Sequence, residues 1–228
     1  MSDSDLFKLN LNPVNLFKSI AFDIAFSRAN PDYFEPCGIW CFVGAQGAGK
    51  SLSATKVFKE VAKQYPKAML CSNMEVFGID REIIPFTDYE QISQLDNGLH
   101  GVVFLLDEIQ TIWNCMEARN IPVEEIGTLC QNRKTRRLVL CTSQVYGRTA
   151  KPIREQYKYV IFCRNYFKYL QINTIVDPCP EGYTKEDDGH FEGQIKFHHI
   201  YFHSPKDYMS FDTLNKINRI ERKKKNGK

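Results

Sequence analysis

The residues best placed by type and spacing to do chemistry lie in FVGAQGAGKSLSATKVF, Phe42 to Phe58, where Gly44, Gly49, Lys50 and Ser51 fit the pattern G-x-x-x-x-G-K-[ST]. A loop of this kind binds phosphate. Gly44, Gly47 and Gly49 let the backbone turn with its N–H groups inward, and a helix starting near Lys50 adds the positive end of its dipole. The expected nucleotide-binding run is Gly44, Ala45, Gln46, Gly47, Ala48, Gly49, Lys50, Ser51 and Leu52. Lys50 is expected to reach the β- and γ-phosphates as a point charge, and the Ser51 hydroxyl to take Mg²⁺. Apolar Ile39–Val43 before the loop, and Leu52, Val57, Phe58 and Val61 after it, supply the strand-then-helix context that an idle glycine turn lacks.

A second cluster closes GVVFLLDEIQ. Val102–Leu106 is a fully apolar run too short for a helix, so it reads as a buried parallel strand that ends in Asp107 and Glu108. Asp107 is the expected Mg²⁺ ligand, and Glu108 the residue that orients or deprotonates an attacking water. A small-molecule kinase needs no such second acid, so the pair favours hydrolysis. A third apolar run, RLVLCTSQ, ends in Gln144, where a polar side chain can touch the γ-phosphate or the water. A guanine-reading N-K-x-D is missing, since NKIN at Asn215–Asn218 lacks the acid, and the expected nucleotide is therefore ATP. Arg133 and Arg154 are the expected counter-charges for the leaving phosphates, supplied within one subunit or by a neighbour.

The elements that must position these groups follow from strands alternating with helices. The fold class is α/β, a P-loop NTPase with a mainly parallel sheet covered by helices on both faces, whose ligands collect at the carboxyl ends of the strands. A β-hairpin is expected around Asn165, and a late strand over Gln194–His203. DYEQISQL and PVEEIGTLCQNRK read as helices, and REIIPF as a short edge strand. Three regions are expected: a helical lead-in at 1–36, with Val14, Phe17, Ile20, Ala21 and Ile24 at helical spacing; the ATPase domain at 37–209; and a helix with a basic tail at 210–228.

With 228 residues, 43% of them hydrophobic, the chain can bury one sizeable core. No apolar run reaches membrane-spanning length and MSDSDLFK is not a secretory signal, so a host-cytoplasmic or virion protein is expected. The eight cysteines are scattered, several in apolar runs, which suits reduced thiols better than a disulfide framework. His198, His199 and His203 alternate with apolar residues and read as a strand rather than a metal site. Charge is uneven: Asn132–Lys168 holds ten Lys or Arg against one acid, a net +9, and Lys216–Lys228 holds seven against one, a net +6. Arg136, Arg137, Arg148 and Lys151 are accordingly the candidates for contact with a DNA backbone.

GAQGAGKS, SNMEVFGI, VVFLLDEIQ and QNRKTRRLVLCTSQVYGRTAKPIREQ together resemble the zonula occludens toxin-like ATPases of filamentous phages and, more widely, the viral genome-packaging branch of the FtsK–HerA superfamily, over roughly residues 38–176. The positions that match this group are Asp107–Glu108, Arg133–Lys134, Gln144 and Arg154. The resemblance implies a ring-forming, Mg²⁺-dependent ATPase that moves single- or double-stranded DNA during virion assembly, alongside a capsid or membrane partner. The filamentous-phage enzymes usually carry a transmembrane helix after the ATPase domain, whereas this chain ends in ERKKKNGK, which favours the packaging type over extrusion. The rival readings are a nucleotide-gated assembly protein with little DNA-stimulated turnover, a small-molecule kinase, and a helicase or recombinase of related fold.

Overall fold

A computed structural model describes residues 13–179, 185–187 and 190–211, and of 185–187 and 190–192, Glu117 and Asn120 the backbone alone. The chain divides between Tyr33 and Phe34. In the first unit, helix α1 (Pro13–Ala29) sets Val14, Phe17, Ile20, Ala21 and Ile24 along one stripe and carries Phe22 and Phe26 on the opposite side. The helix expected of the lead-in therefore forms, with apolar aromatics on its second face as well. Among the described residues no helix is long and apolar enough to cross a membrane.

The second unit is built on an eight-stranded sheet. Its first seven strands along the chain are β1 (Gly38–Val43), β2 (Met69–Ser72), β3 (Ile84–Pro85), β4 (Val102–Leu106), β5 (Arg137–Ser143), β6 (Tyr157–Tyr166) and β7 (Leu170–Asp177). A separate ribbon then pairs β8 (Lys185–Asp187) with β9 (His190–Glu192), and β10 (Gln194–Phe202) completes the main sheet, in the order β10-β7-β6-β1-β5-β4-β2-β3. β6 through β3 are parallel, and β7 and β10 add an antiparallel flank. The core forms two layers because side chains alternate along each strand. Val102, Phe104 and Leu106 of β4 join Ile39, Cys41, Val139 and Cys141 on one face, while Val103 and Leu105 join Phe42, Leu138 and Leu140 on the other.

Helices cover both faces, as the fold class requires. Helix α2 (Lys50–Gln64) lays Ala54, Phe58, Val61 and Ala62 on one of them. The other is covered by short pieces: α3 (Gln91–Gln94), α4 (Val123–Cys130), α5 (Lys151–Arg154) and the 3-10 turn Ile109–Thr111. α3 is a single turn whose lead-in is capped at Asp88, where the carboxylate accepts from the Glu90 N–H at 3.1 Å and the backbone N–H donates to the Gln91 side chain at 3.0 Å. Arg81 donates to the carbonyls of Ala62 and Ala68 at 2.8 and 3.0 Å, satisfying acceptors at and beyond the end of α2.

Several expectations need correction. The hairpin turns at Phe167 and Lys168 rather than Asn165, both residues with left-handed backbone. PEGYTKEDDGH, an acidic stretch that reads as a loop, holds β8 and the first residue of β9. Towards the C-terminus, α6 (Pro205–Tyr208) is a single capped turn and Phe211 bridges to Val76, where a helix is expected from about Ser210. The rest of that expected helix and the basic tail lie outside the described residues. All eight cysteines are free thiols, with Cys41, Cys71, Cys141 and Cys163 buried.

Candidate nucleotide site

The site forms where β1, β5 and β4 end. β1 leads into the glycine loop and β4 into the acidic pair, but the two strands are not neighbours: β5 runs between them, in parallel register with both. A side chain at the end of β5 is thereby held midway between loop and acids. Thr142 fills that position. Its hydroxyl donates to Asp107 Oδ1 at 2.6 Å and accepts from the Glu108 backbone N–H at 2.9 Å.

Asp107 Oδ1 also accepts from the Ser51 hydroxyl at 2.8 Å, which joins the loop to the acidic strand. The backbone of Asp107 is clamped by Asn73, just past β2, whose side chain accepts from Asp107 N at 2.8 Å and donates to Asp107 O at 3.0 Å. Asn73 was not singled out in the sequence. Its only signal is a polar residue following a short apolar strand, the same signal that marks Asp107 and Gln144.

Successive side chains on a strand point to opposite faces, so Asp107 and Glu108 should diverge. They do not, because Glu108 leaves the strand in the left-handed region, at φ 52°. That conformation is uncommon for a residue with a side chain. It is held by Thr142 on the N–H side and on the carbonyl side by Thr111, whose N–H and hydroxyl donate at 2.8 and 2.9 Å. The turn brings the Glu108 carboxylate back to the rim, where it accepts from Gln144 Nε2 at 3.1 Å. Lys50, Ser51, Asp107, Glu108 and Gln144 therefore share one rim.

The loop fits a phosphate chain. Gly47 and Gly49 both lie at φ 79°, where glycine is preferred, and a Cβ on Gly47 would meet nothing within 4 Å. A Cβ on Gly44 would stand 2.8 Å from the Cys163 carbonyl, so the loop is seated directly on β6. Lys50 Nζ donates to the Ala45 carbonyl at 3.0 Å, across the concavity that phosphates would fill. The first N–H groups of α2 have no partner inside the helix by construction, and they open onto the same place. The Ser51 hydroxyl and the Asp107 carboxylate suit Mg²⁺, a cation that takes oxygen ligands. The Leu52 side chain is buried in the core, so only its backbone faces the loop. Burial pushes the Cys163 thiol up to about 12, against the pull of the Lys50 charge, so this neighbour of the loop is no nucleophile at neutral pH.

The basic residues are not brought together. Arg133 and Lys134 are exposed but precede β5, at the amino edge of the sheet, about 20 Å from the rim at about 3.3 Å per residue. Arg133 therefore does not join the site of its own subunit. Arg137, proposed for DNA contact, is 4% exposed and donates to the carbonyls of Ser93 and Leu95 at 3.0 and 3.2 Å. It is a fastener between β5 and α3, and burial lowers its pKa. Arg136 lies at the same edge and donates to the Gly98 carbonyl at 3.4 Å. Arg154 is 9% exposed, with its guanidinium over the Tyr146 ring at 5.1 Å, two residues beyond Gln144. Arg148 and Lys151 alone of the four DNA candidates are exposed on the rim side of β5. The histidines of β10 and the turn after it meet other partners: His203 pairs with Asn165 at 2.9 Å and His198 with Thr174 at 3.1 Å. Among the described residues no group of three His, Cys, Asp or Glu is placed to hold a metal.

No protein-family model and no curated protein matches the chain. Solved structures do. The N-terminal domain of zonular occludens toxin from Neisseria meningitidis superposes with a TM-score of 0.53 at 13% identity, over 78% of this chain and all of that domain. A second solved ATPase domain superposes with a TM-score of 0.51 at 12% identity, over 91% of this chain and all of that one.

The chain has the P-loop ATPase fold.

The genome-packaging NTPase B204 of Sulfolobus turreted icosahedral virus 2, in complex with ATP-gammaS, is also similar, at a TM-score of 0.49 and 12% identity, over 72% of this chain and 96% of that one. Identities this low speak to the P-loop ATPase fold and not to a shared activity. The loop, the acidic pair and Gln144 occupy the rim that this fold reserves for its ligand, outside the carboxyl ends of parallel strands.

Proposed function

We propose that the chain is a Mg²⁺-dependent ATPase of the FtsK–HerA type that drives DNA movement in virus or phage assembly. The observation that carries this reading is the linked set Ser51–Asp107–Thr142–Glu108–Gln144, in which the phosphate-loop serine and the metal-binding acid are joined and the second acid is turned toward the sensor amide. Ser51 and Asp107 hold Mg²⁺. Lys50 and the α2 N-terminus bind the β- and γ-phosphates, and Glu108 orients and deprotonates the water. Gln144, bonded to Glu108, is placed to register the loss of the γ-phosphate. The likeness to the zonular occludens toxin domain agrees with the family that the sequence motifs resemble, and this supports the assembly role. In a ring, Arg133 at the amino edge and Arg154 near Tyr146 are the candidates for a charge donated to a neighbour's site. Arg148 and Lys151 remain as contacts to a DNA backbone.

A second reading, a nucleotide-gated assembly protein, is favoured by one observation: the net +9 band is divided between two edges of the sheet, and Arg137 is spent inside the protein. The experiment that separates the two measures ATP hydrolysis with and without double- and single-stranded DNA, at low and moderate salt, beside Glu108→Gln. A motor shows DNA-stimulated turnover that salt removes. The variant then binds ATP normally and loses about 10²- to 10³-fold in kcat. Slow turnover that ignores DNA at every salt supports the gated assembly protein instead.

A further inference from the structure

Gln171 lies on β7, outside every motif that defines the site, yet it is fully buried and reaches the phosphate loop. Its Nε2 donates to the Ala48 carbonyl at 3.0 Å and to Asn173 Oδ1 at 2.8 Å. Its Oε1 is buried without a partner and stands where a Cβ on residue 49 would be, so residue 49 must be glycine while Gln171 is there. A buried unpaired acceptor is costly enough to call for an explanation. Asn173 is fixed in turn, donating to Ser53 of α2 at 3.1 Å, and the Ser53 hydroxyl meets the Tyr201 hydroxyl of β10 at 3.0 Å.

The geometry points to Gln171 as the residue that positions the phosphate-binding N–H groups of the loop. In a planar trans peptide the C=O of one residue and the N–H of the next point in opposite directions. Holding the Ala48 carbonyl outward, toward β7, therefore turns the Gly49 N–H inward, into the concavity beneath Lys50. A phosphate loop requires that orientation, and the Gln171 amide enforces it at this peptide. That amide is pinned by Asn173, and Asn173 by Ser53. The peptide is thus held by a buried polar chain anchored on the antiparallel flank, two strands away from β1.

This rests on the nucleotide reading above, and the test separates the two. Binding of fluorescent ADP and ATP analogues with Mg²⁺ is measured by titration for the full chain, for Gln171→Leu, which keeps the bulk and removes the donor, and for Gln171→Asn, which keeps the amide but is too short to reach Ala48. Thr174→Ala, an outward neighbour on β7, serves as the control. The expected result is a loss of about tenfold in affinity for both variants, the amount expected when one hydrogen bond to a charged group is lost. The factor should be equal for ADP and ATP because a loop N–H serves the phosphates they share, and melting temperatures should stay within a few degrees of wild type. Affinities within twofold of wild type in a folded variant overturn the positioning role and leave the nucleotide reading standing. Failure of both variants to fold overturns it as well, by making Gln171 a structural residue. A wild-type chain that binds neither nucleotide overturns both inferences.

Discussion

β4 and β10 are both rich in apolar residues, yet β4 is buried at every position and β10 is exposed at nearly every one. β4 lies between β5 and β2 with a covered face on each side. β10 closes one edge of the sheet, and Ile195, Phe197, Ile200 and Phe202 are each more than half exposed. The contrast separates two jobs within one sheet. The inner parallel strands convert burial into a rigid rim, where Asp107, Glu108, Thr142 and Gln144 are held by backbone register. The antiparallel flank reaches the loop only through side chains, by way of Gln171, Asn173 and Tyr201.

The comparison breaks most visibly at matched aromatics. Phe104→Ala, in the middle of β4, should cost about 3–5 kcal/mol of stability, whereas Phe197→Ala on β10 should stay within about 0.5 kcal/mol. Urea unfolding of the two variants measures the difference, and equal costs would mean that β10 is covered in the folded protein. A smaller effect sharpens the inner side. Arg137→Met should cost about 2 kcal/mol, because the Ser93 and Leu95 carbonyls lose their donor, and should leave any DNA affinity unchanged. A variant of normal stability that loses DNA binding would return Arg137 to the surface role first expected of it.

The smallest effect lies on the flank and depends on pH. Burial lowers the pKa of His203, with the Lys56 charge adding to the shift and Asp207 opposing it. Its neutral form is therefore favoured in the folded state. The stability tied to that form is complete above about pH 6.5, the unfolded value, and is lost as pH falls from there through the folded value. Urea midpoints at pH 7.5 and 5.0 should fall further for wild type than for His203→Gln, and parallel shifts would remove His203 as the cause.

What could be read in advance follows the same division. Short, wholly apolar runs ending in Asp-Glu or Thr-Ser-Gln name both a central strand and its chemistry, because a strand buried on both faces has only its end at which to show polar groups. Arg137 and Gln171 escape that logic. Arg137 sits in a basic run and reads as surface, and only the α3 carbonyls, more than forty residues away, explain its burial. Gln171 in QINTIV reads as an ordinary strand position until β7 is laid beside β6 and β6 beside β1. The left-handed turn at Glu108 is equally unmarked, since it depends on Thr142 of β5 as well as on nearby Thr111.

The interposition of β5 also sets a timetable. β1 finds its neighbours only when Leu138 and Tyr157 have been made, so Gly38 waits about a hundred residues for its partner. Pairings of such sequence separation carry a loop-closure penalty and form late. The phosphate loop leaves the ribosome early but has no sheet to sit on until β5 and β6 follow. A nascent chain stopped before residue 137 carries the whole glycine motif but neither of the strands, β5 and β6, that flank β1.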